Sequence, residues 1–385
     1  MSTEVAEGSV RHLDHSGLHL ARPDGSTVTV PLLALRDRCD CASCSHPSGQ
    51  RLLDPAAFPT DLAATVVAVD DGFLRLHWTP EGHHSTYALA ELLADPPAAD
   101  DVLPWDAGAA DRLAVGDHQQ ITADGEAGSR ALLDWLRGVA AMGCGVLTGV
   151  PTLDGEVARV AELFGFVRET NYGRWFDVWA QADPTNLANT SLGLPPHTDN
   201  PYRDPVPTMQ LLHCHQSSAA GGDNVLVDGF RVAAELRTLD PDGFAQLAGR
   251  AVSFAYRDAG ASLTTTAPII DLDVAGNVRG VRFNHRSLQQ LPLPTNPAES
   301  EQLSVWYRGY THFARLVADP RFHLFVHLRP GDLFIVDNRR VLHGRTAYEA
   351  GGGSRHLQGC YADVDGLRST IAVLQHRLDA AADDR

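Results

Sequence analysis

The sequence predicts a mainly β protein with flanking helices, in which a small α+β domain precedes a larger β sandwich or barrel. The 385 residues are enough for two or three domains, and 44% of them are hydrophobic. Residues 95–110 are rich in Pro, Ala and Asp without periodicity, which is typical of a linker. Beyond about residue 185, short apolar runs alternate with Gly, Pro, Asn and Asp, as in sandwiches and barrels. We therefore expect domains at 1–98 and 99–385.

Alternating polar and apolar residues predict the strands of the first domain. Leu18–Leu20 and Thr27–Val30 lie on either side of a Pro-Asp-Gly turn. Val66–Asp70 and Phe73–Trp78 are separated by Asp-Gly, the dipeptide that favours a tight hairpin.

Three helices are expected in the second domain. The first would have Ser129 as its cap, Gly143 as its stop and one apolar face made of Leu132, Leu133, Leu136, Val139 and Ala140. The others are expected at Leu153–Phe164 and Pro297–Ala318. The predicted strands are Met209–Cys214, Asn224–Val227, Val281–Asn284, Phe322–Leu328, Leu333–Val336 and Leu357–Tyr361.

Composition excludes several classes of protein. The net charge of −17 argues against nucleic acid or an anionic membrane as a partner. All 31 basic residues are arginine, so lysine Schiff-base chemistry and the phosphate-loop lysine are absent. Neither a secretory signal at the N-terminus nor an apolar run of membrane-spanning length is visible. Six cysteines in a chain of this size predict a reducing, cytoplasmic location.

Cys39, Cys41 and Cys44 form a Cys-x-Cys-x-x-Cys cluster in the first domain. Three thiolates so close together can surround one soft ion, and closed sites of four S or N ligands are typical of structural zinc. The fourth ligand would come from His46, His77, His83 or His84. The alternative is three free cysteines in a loop, although this segment is polar and free cysteines are usually buried.

A second metal motif is His197-Thr-Asp199, with His343 later in the chain. Residues i and i+2 of a strand point the same way, so the imidazole and the carboxylate can face one ion. Two imidazoles and one carboxylate make the facial triad of non-haem Fe(II) oxygenases. The alternative is that these are ordinary core or surface histidines.

Arg355 follows in an apparent strand after a triple-glycine turn. A buried arginine needs an anion, and its planar fork suits a carboxylate. A dicarboxylate that chelates Fe(II) at one end would supply that anion at the other. The alternative is an ion pair with Asp363 in the same region of the chain.

At these residues the chain resembles the gamma-butyrobetaine hydroxylase and trimethyllysine hydroxylase branch of the taurine dioxygenase superfamily, which are Fe(II)- and 2-oxoglutarate-dependent oxygenases. The resemblance covers nearly the whole chain. It implies a double-stranded β-helix (jelly-roll) catalytic domain, an N-terminal zinc-binding domain and a homodimer. The matching segments are Leu35–Cys44, Gly82–Ser85, Pro196–Asp199, Gln210–Cys214, Gly221–Phe230, Leu342–Tyr348 and Ser354–Asp363.

The resemblance also implies roles for individual residues. Iron would be held by His197, Asp199 and His343, and an intact Asp199 favours hydroxylation, because related halogenases lack that carboxylate. Zinc would be held by Cys39, Cys41, Cys44 and His83, with His83 preferred to His84 because Gly-His-x-Ser is the family pattern. 2-Oxoglutarate would be bound by Arg355, Asn224 and Leu212.

The substrate pocket would combine an aromatic cage for a trimethylammonium group with amides for a carboxylate. The cage positions are Tyr172, Phe176, Asn189 and Tyr361, and the carboxylate positions are Asn186 and Asn284. Asn189 and Asn200 stand where the family usually has aromatic residues. The expected substrate is therefore a quaternary ammonium compound of the gamma-butyrobetaine type, or alternatively another amino acid or amine of specialised metabolism. A jelly-roll metal protein without turnover is disfavoured, because a binding module has no need for open iron positions.

Overall fold

The structure, a computed structural model, describes residues 9–94, 102–179, 192–217, 221–348 and 354–383. They form two compact units, one within residues 1–99 and one within residues 100–385. Among these described residues, the helices are all too short or too polar to cross a membrane.

The first unit consists of two three-stranded antiparallel sheets and short helices. The elements are β1 (Val10–Asp14), β2 (Gly17–Ala21), β3 (Thr27–Val30), α1 (Leu32–Asp37), a 3-10 turn (Pro55–Ala57), β4 (Ala63–Asp70), β5 (Phe73–Thr79), β6 (His83–Ala88) and α2 (Leu89–Leu93). Both predicted hairpins are confirmed. The β4–β5 turn places Asp71 and Gly72 at positive φ (48° and 77°), the conformation that two-residue hairpin turns favour. The core is formed by Leu18, Leu20, Leu35, Leu74, Leu76 and Trp78.

Two sheets dominate the second unit. The larger has six strands in the spatial order β7 (Ala114–Asp117), β8 (Cys144–Thr148), β18 (Leu333–Asp337), β11 (Met209–Ser217), β20 (Arg355–Ala362) and β9 (Phe176–Trp179). The smaller has four in the order β10 (Leu194–His197), β19 (Val341–Arg345), β12 (Asn224–Asp228) and β17 (His323–Val326). Two hairpins accompany them, β13 (Val252–Arg257) with β14 (Ser262–Ala267) and β15 (Ile270–Leu272) with β16 (Val278–Val281).

Helices pack against the outer faces of both sheets. They are α3 (His118–Ile121), α4 (Gly125–Met142), α5 (Glu156–Glu162), α6 (Gly229–Leu239), α7 (Pro241–Gly249), α8 (Pro297–Ala318) and α9 (Val364–Asp383), with 3-10 turns at Ala107–Arg112 and Pro320–Phe322. Helix α8 has the predicted bounds, because Asn296 caps it and Pro297 occupies its first turn.

Successive side chains of a strand point to opposite faces of its sheet, so the strands of the second unit separate its core into layers. On β12, Val225 and Val227 belong to the core beneath α6, α7 and α8, whereas Leu226 belongs to a core that both sheets share. On β18, Leu333 and Ile335 face α4 and α9, while Phe334 and Val336 face the smaller sheet. The mainly β architecture with flanking helices is therefore confirmed.

Several predicted bounds were wrong. Helix α4 begins after Asp124, not at Ser129, and Ala140 is exposed. Its early start depends on Gly128, where a Cβ atom would lie 1.8 Å from the carbonyl oxygen of Ala123. The helix expected at Leu153–Phe164 is shorter at both ends, and the strand expected at Val281–Asn284 ends at its first residue.

The linker prediction for residues 95–110 was also wrong in part. Trp105 is buried, and its indole N–H donates to the carbonyl of Met142 at 2.7 Å. Its backbone N–H donates to Asp228, so the described part of this stretch, from residue 102 onward, is packed into the second unit. Burying the large ring of Trp105 stabilises the packed conformation of this stretch. This stabilisation exceeds the preference of the surrounding Pro and Ala residues for an unpacked linker.

Candidate active site

The site lies between the two sheets, on the faces that share one core. Val341 on β19 and Leu357 on β20 point into that core. Residues two positions along each strand point the same way, which brings His343, Arg345, Arg355 and Tyr361 into the same interior space. On the neighbouring strands β11 and β12, the side chains that point into this space are those of Gln210, Leu212 and Asn224.

His197, Asp199 and His343 meet at one end of this space. His197 ends β10 and is paired with His343 on β19, and Asp199 follows two residues later. Nε2 of His197 lies 3.3 Å from Oδ1 of Asp199, and Nε2 of His343 lies 4.0 Å from Oδ2. One ligand atom from each residue lies within 4.8 Å of the other two. The strand pairing thus brings the three predicted ligands together.

Hydrogen bonds fix the direction of these ligand atoms. Nδ1 of His197 donates to the carbonyl of Pro195 at 2.9 Å, which leaves the lone pair of Nε2 facing Asp199. The side chain of Asn338 holds the backbone of Asp199 by accepting from its N–H at 2.7 Å and donating to its carbonyl at 2.9 Å. Asn338 was not predicted, because it lies in a turn without any recognisable motif.

The protonation states suit a divalent metal ion. Burial lowers the pKa of His343 to about 3, so its imidazole is neutral. Burial alone would raise the pKa of Asp199, but its polar neighbours His197, His343 and Tyr361 bring it below its ordinary value. Gln210 and the Tyr361 hydroxyl donate to Oδ2 of Asp199 at 2.7 and 2.8 Å. Two imidazole nitrogens and one carboxylate are the donor set that Fe(II) takes in a facial triad.

Arg355 lies at the other end of the interior space and is buried. Its guanidinium donates to Oδ1 of Asn224 at 3.4 Å, and Asn224 is held by its own hydrogen bond to the carbonyl of Val326 at 3.2 Å. Gly222, at φ 76°, passes so near that a Cβ atom there would lie 3.3 Å from the Arg355 side chain. Burial lowers the pKa of Arg355.

The alternative partner for Arg355 was wrong. Asp363 pairs with Arg168 at 3.0 Å and accepts a hydrogen bond from Thr208. Arg355 begins β20 and Asp363 follows its other end, so the two side chains are separated by the length of the strand. Within the described ranges, Arg355 has no ion pair with any carboxylate.

Arg345 is a buried residue of this space to which the sequence analysis gave no role. It shares the inward face of β19 with His343. The guanidinium carbons of Arg345 and Arg355 lie 5.3 and 5.9 Å from the centre of the Tyr348 ring. Burial and the charge of Arg355 lower the pKa of Arg345 to about 10. The sequence feature that could have indicated a role for Arg345 is its position in Leu342–Tyr348, one of the segments that resemble the family.

The predicted aromatic residues also meet near the metal ligands. The ring of Phe176 lies 5.9 Å from that of Tyr172 and 5.3 Å from that of Tyr361, centre to centre. Gly359 makes room for this group, because a Cβ atom there would lie 2.6 Å from Phe176 and 2.8 Å from Leu212.

Two further tyrosines belong to this aromatic group and were missed. The hydroxyls of Tyr172 and Tyr202 are 2.9 Å apart, and the Tyr202 and Tyr256 rings stack at 5.0 Å. Asn284 is buried, and its amide donates to the carbonyl of Thr198 at 3.1 Å. The predicted residues Asn186 and Asn189 lie outside the described residues.

The first unit holds a second cluster of ligand atoms. Nε2 of His83 lies 3.4 Å from the sulfur of Cys39 and 3.7 Å from those of Cys41 and Cys44. A tetrahedral zinc ion with ordinary bond lengths requires separations of about 3.6 Å between sulfur and nitrogen. His84 is exposed, and its ring instead packs on that of His77 at 4.7 Å. The cluster therefore has the dimensions of a closed zinc site.

Arg36 supports this cluster and was not predicted. It is buried beside Cys44, where its guanidinium donates to the sulfur at 3.3 Å and pairs with Glu81 at 2.8 Å. A cation beside the thiolates offsets part of their negative charge, as outer hydrogen bonds commonly do at metal sites.

Two sheets that enclose a pair of imidazoles and one carboxylate, with a buried arginine beyond them, define a non-haem Fe(II) dioxygenase that uses 2-oxoglutarate. Residues 113–361 match the family model described as taurine catabolism dioxygenase TauD, TfdA family. Residues 10–93 match the model of the gamma-butyrobetaine hydroxylase-like N-terminal domain. The chain belongs to the TauD, TfdA family of dioxygenases.

Relatives with assigned names cover nearly the whole chain. The gamma-butyrobetaine dioxygenase of Pseudomonas sp. (strain AK-1) is 35% identical over 94% of both chains. That of Homo sapiens is 30% identical over 92% of this chain and 94% of its own. The trimethyllysine dioxygenase of Meyerozyma guilliermondii is 27% identical over 91% of both. The predicted family, the dioxygenase class and the cofactor set of Fe(II), 2-oxoglutarate and structural zinc are confirmed.

Proposed function

We propose that this dioxygenase hydroxylates an unactivated C–H bond of a small quaternary ammonium compound of the gamma-butyrobetaine type. The observation that carries the proposal is the aromatic group beside the metal ligands. Tyr361 links the two directly, because its ring packs on Phe176 while its hydroxyl donates to Asp199. The relatives named for gamma-butyrobetaine and trimethyllysine support a quaternary ammonium substrate.

His197, Asp199 and His343 would hold Fe(II) on one face and leave its remaining positions open. Bound together with 2-oxoglutarate and O2, the iron would supply the oxidation that hydroxylates a C–H bond. Gln210 and Tyr361 keep Asp199 ionised and oriented through their hydrogen bonds to Oδ2. These two hydrogen bonds restrain the carboxylate in the orientation that it has beside the two imidazoles.

Arg355 and Asn224 would bind the distal carboxylate of 2-oxoglutarate, and Leu212 would line the path to it. The support is geometric, since Arg355 is buried, is oriented by Asn224 and has no carboxylate partner among the described residues. A bidentate pair with an incoming carboxylate would give this guanidinium its missing counter-ion.

The rings of Tyr172, Phe176 and Tyr361 would contact the trimethylammonium group of the substrate, because a cation is attracted to the face of an aromatic ring. Asn284 would contact the opposite, carboxylate end. Asn186 would contact the carboxylate end as well, and Asn189 would lie in the cage around the trimethylammonium group.

A second candidate is another amino acid or amine, and Asn200 favours it. This residue is buried at φ 52°, directly after Asp199, and neither atom of its amide has a hydrogen-bond partner within the described residues. A buried amide without a partner costs about 1–3 kcal/mol, so a substrate with N–H or O–H groups would be better matched to it than a fully methylated nitrogen.

We also propose that the Cys39, Cys41, Cys44 and His83 cluster binds zinc structurally, within a domain of residues 1–98. All four ligand positions are filled by protein atoms, which leaves no room for substrate. The oxygenase domain would be residues 99–385.

The deciding experiment measures succinate release and O2 consumption with a panel of betaines and amino acids, using the enzyme loaded with Fe(II) and 2-oxoglutarate. Coupled turnover with gamma-butyrobetaine, and a product heavier by one oxygen atom, would support the first candidate. Turnover only with amino acids or partly methylated amines would support the second. A metal protein without turnover would release no succinate above background with any compound.

We propose that the enzyme works in the cytoplasm as a homodimer. The thiols of the zinc cluster need a reducing environment, and the resemblance implies the dimer. Light scattering after size-exclusion chromatography tests the dimer, since a mass of 41.5 kDa would indicate a monomer. Cell fractionation tests the location.

A further inference from the structure

A third cluster of ligand atoms lies on the outer face of the β1–β2 hairpin. It consists of His12, Asp14 and His19 and is called here the hairpin cluster. His12 and Asp14 lie two residues apart on β1, and His19 lies on β2, directly opposite His12. One ligand atom from each residue lies within 4.8 Å of the other two. The cluster shares no residue with the iron site or with the cysteine cluster.

The strand register produces this arrangement. A bulge in β1 between Val10 and His12 shifts the pairing by one residue and so places His12 opposite His19. Because alternate residues of a strand share a face, Asp14 lies on the same side as His12, whereas Leu13 packs against the core of the unit. The three side chains therefore meet through the pairing of the backbone and not only through the reach of flexible side chains.

The iron site has the same arrangement. There, His197 is paired with His343 across two antiparallel strands, and Asp199 follows His197 by two residues. In the hairpin cluster, His19 takes the place of the cross-strand histidine. Imidazole and carboxylate ligands suit divalent ions of the first transition row, and they bind Zn(II) more tightly than Fe(II).

The distances between the ligand atoms suit such an ion. Oδ2 of Asp14 lies 3.4 Å from Nε2 of His12, and Oδ1 lies 3.3 Å from Nε2 of His19. A tetrahedral zinc ion with ordinary bond lengths requires separations of about 3.4 Å between nitrogen and oxygen. The two rings are stacked with their centres 3.9 Å apart. The side chain of His12 is 58% exposed, so its ring can turn to direct the lone pair of Nε2 at an ion.

Hydrogen bonds from neighbouring residues hold two of the three ligands. The backbone N–H and the hydroxyl of Ser16 donate to Oδ1 of Asp14 at 2.8 and 2.6 Å, which leaves Oδ2 for an ion. On β3, Oγ1 of Thr29 lies 3.0 Å from Nδ1 of His19 and can accept its proton, which leaves Nε2 as the ligand nitrogen. Without an ion, a proton on Nε2 would fill the same position by donating to Oγ of Ser16 at 3.1 Å.

We propose that the hairpin cluster binds a divalent ion of the late first transition row, such as Zn(II). The side chains of Asp14 and His19 are 38% and 18% exposed, so water completes the coordination and the ion exchanges with solvent. The cysteine cluster, by contrast, surrounds its ion with four protein ligands. An open sheet face has no walls to enclose an organic substrate, so the ligand of the hairpin cluster is the hydrated ion itself.

The test counts zinc and iron in the full-length enzyme. The iron site is filled with Fe(II) and 2-oxoglutarate without O2, both metals are measured, and the protein is then dialysed against Zn(II). The wild-type protein should gain a single zinc ion per chain while its iron content stays constant, which excludes exchange at the iron site. His12→Gln and His19→Gln should weaken this binding more than about 100-fold, because loss of an outer hydrogen bond alone costs about 10–100-fold.

Two variants separate metal binding from the stability of the hairpin. Asp14→Asn keeps an oxygen that accepts from Ser16 but removes the charge, so it should lose the zinc and keep the melting temperature of the undialysed wild-type protein. His15→Gln is the matched control, because His15 is an exposed histidine of the same turn outside the cluster, and it should bind zinc as the wild type does. No zinc gain in the wild type, or an equal gain in His19→Gln, would overturn the proposal and leave the cluster as a hydrogen-bond network. An equal loss in His15→Gln would overturn it too.

Discussion

Replacing Arg355 should weaken 2-oxoglutarate binding without weakening the fold. The guanidinium is buried, and its one side-chain partner in the described residues is the neutral Oδ1 of Asn224, at 3.4 Å. The distal carboxylate of 2-oxoglutarate would therefore be its main counter-ion. Removing one partner of a buried charge pair costs about 3–5 kcal/mol, which corresponds to a loss of affinity of about one hundred- to several thousand-fold.

The sign of the stability change follows from the same geometry. In the absence of 2-oxoglutarate, Arg355 is a buried cation without a carboxylate partner among the described residues, so its replacement by methionine removes a desolvated charge at nearly constant volume. Such replacements are commonly neutral or stabilising. Arg355→Met should therefore melt at the same or a higher temperature than the wild-type protein, while the KM for 2-oxoglutarate rises steeply.

The assay combines a 2-oxoglutarate titration, a melting curve and the bound iron content for Arg355→Met, Arg355→Lys and Arg377→Met. Arg377 is an exposed arginine on α9 and serves as the matched control. Lysine should recover part of the affinity, because an ammonium group keeps the charge but not the planar fork. A variant that melts at lower temperature and keeps a normal KM for 2-oxoglutarate would refute the reasoning.

Three further predictions concern the metal sites and pH. His343→Ala should abolish turnover and retain little Fe(II) after desalting, whereas the exposed control His376→Ala should keep both; normal activity of the former would remove His343 from the site. Cys41→Ser should lose zinc and lower the melting temperature of the first unit; elemental analysis that finds no zinc in the wild-type protein would contradict this. Burial lowers the pKa of His213 from 6.5 to about 4, so the unfolded chain binds the proton first as pH falls. Its contribution to stability should fall by about 2 kcal/mol between pH 7 and 5. Urea unfolding should show a smaller pH dependence for His213→Leu, and an equal slope would contradict the burial argument.

Features determined by neighbouring residues could be predicted from the sequence. The Asp71-Gly72 turn requires only residues that tolerate positive φ, and helix α8 is bounded by its own capping residues. The three cysteines of the zinc cluster are also close in the sequence. Each of these signals lies within a few residues of the structure it specifies.

Residues that meet only through the fold left no such signal. Asn338 reaches the backbone of Asp199 because β18 and β19 bring its turn beside the metal motif. Tyr256 stacks on Tyr202 because the β13–β14 hairpin is held beside the metal motif, where the N–H of Ala255 donates to the carbonyl of Ser287. Nothing in the residue types separates these side chains from other asparagines and tyrosines, so the full aromatic group could be identified only from the structure.

An ion pair between Arg355 and Asp363 is excluded by the predicted strand itself. The segment was already predicted to be a strand, and a strand rises about 3.3 Å per residue, so the eight steps between these residues span about 26 Å. That distance rules out an ion pair between them, whatever the surrounding fold. Nearness in the sequence favours contact in helices and turns, but it opposes contact between the two ends of one strand. The same extended geometry explains why one strand, β20, carries both Arg355, at the end proposed to bind 2-oxoglutarate, and Tyr361, which donates to Asp199.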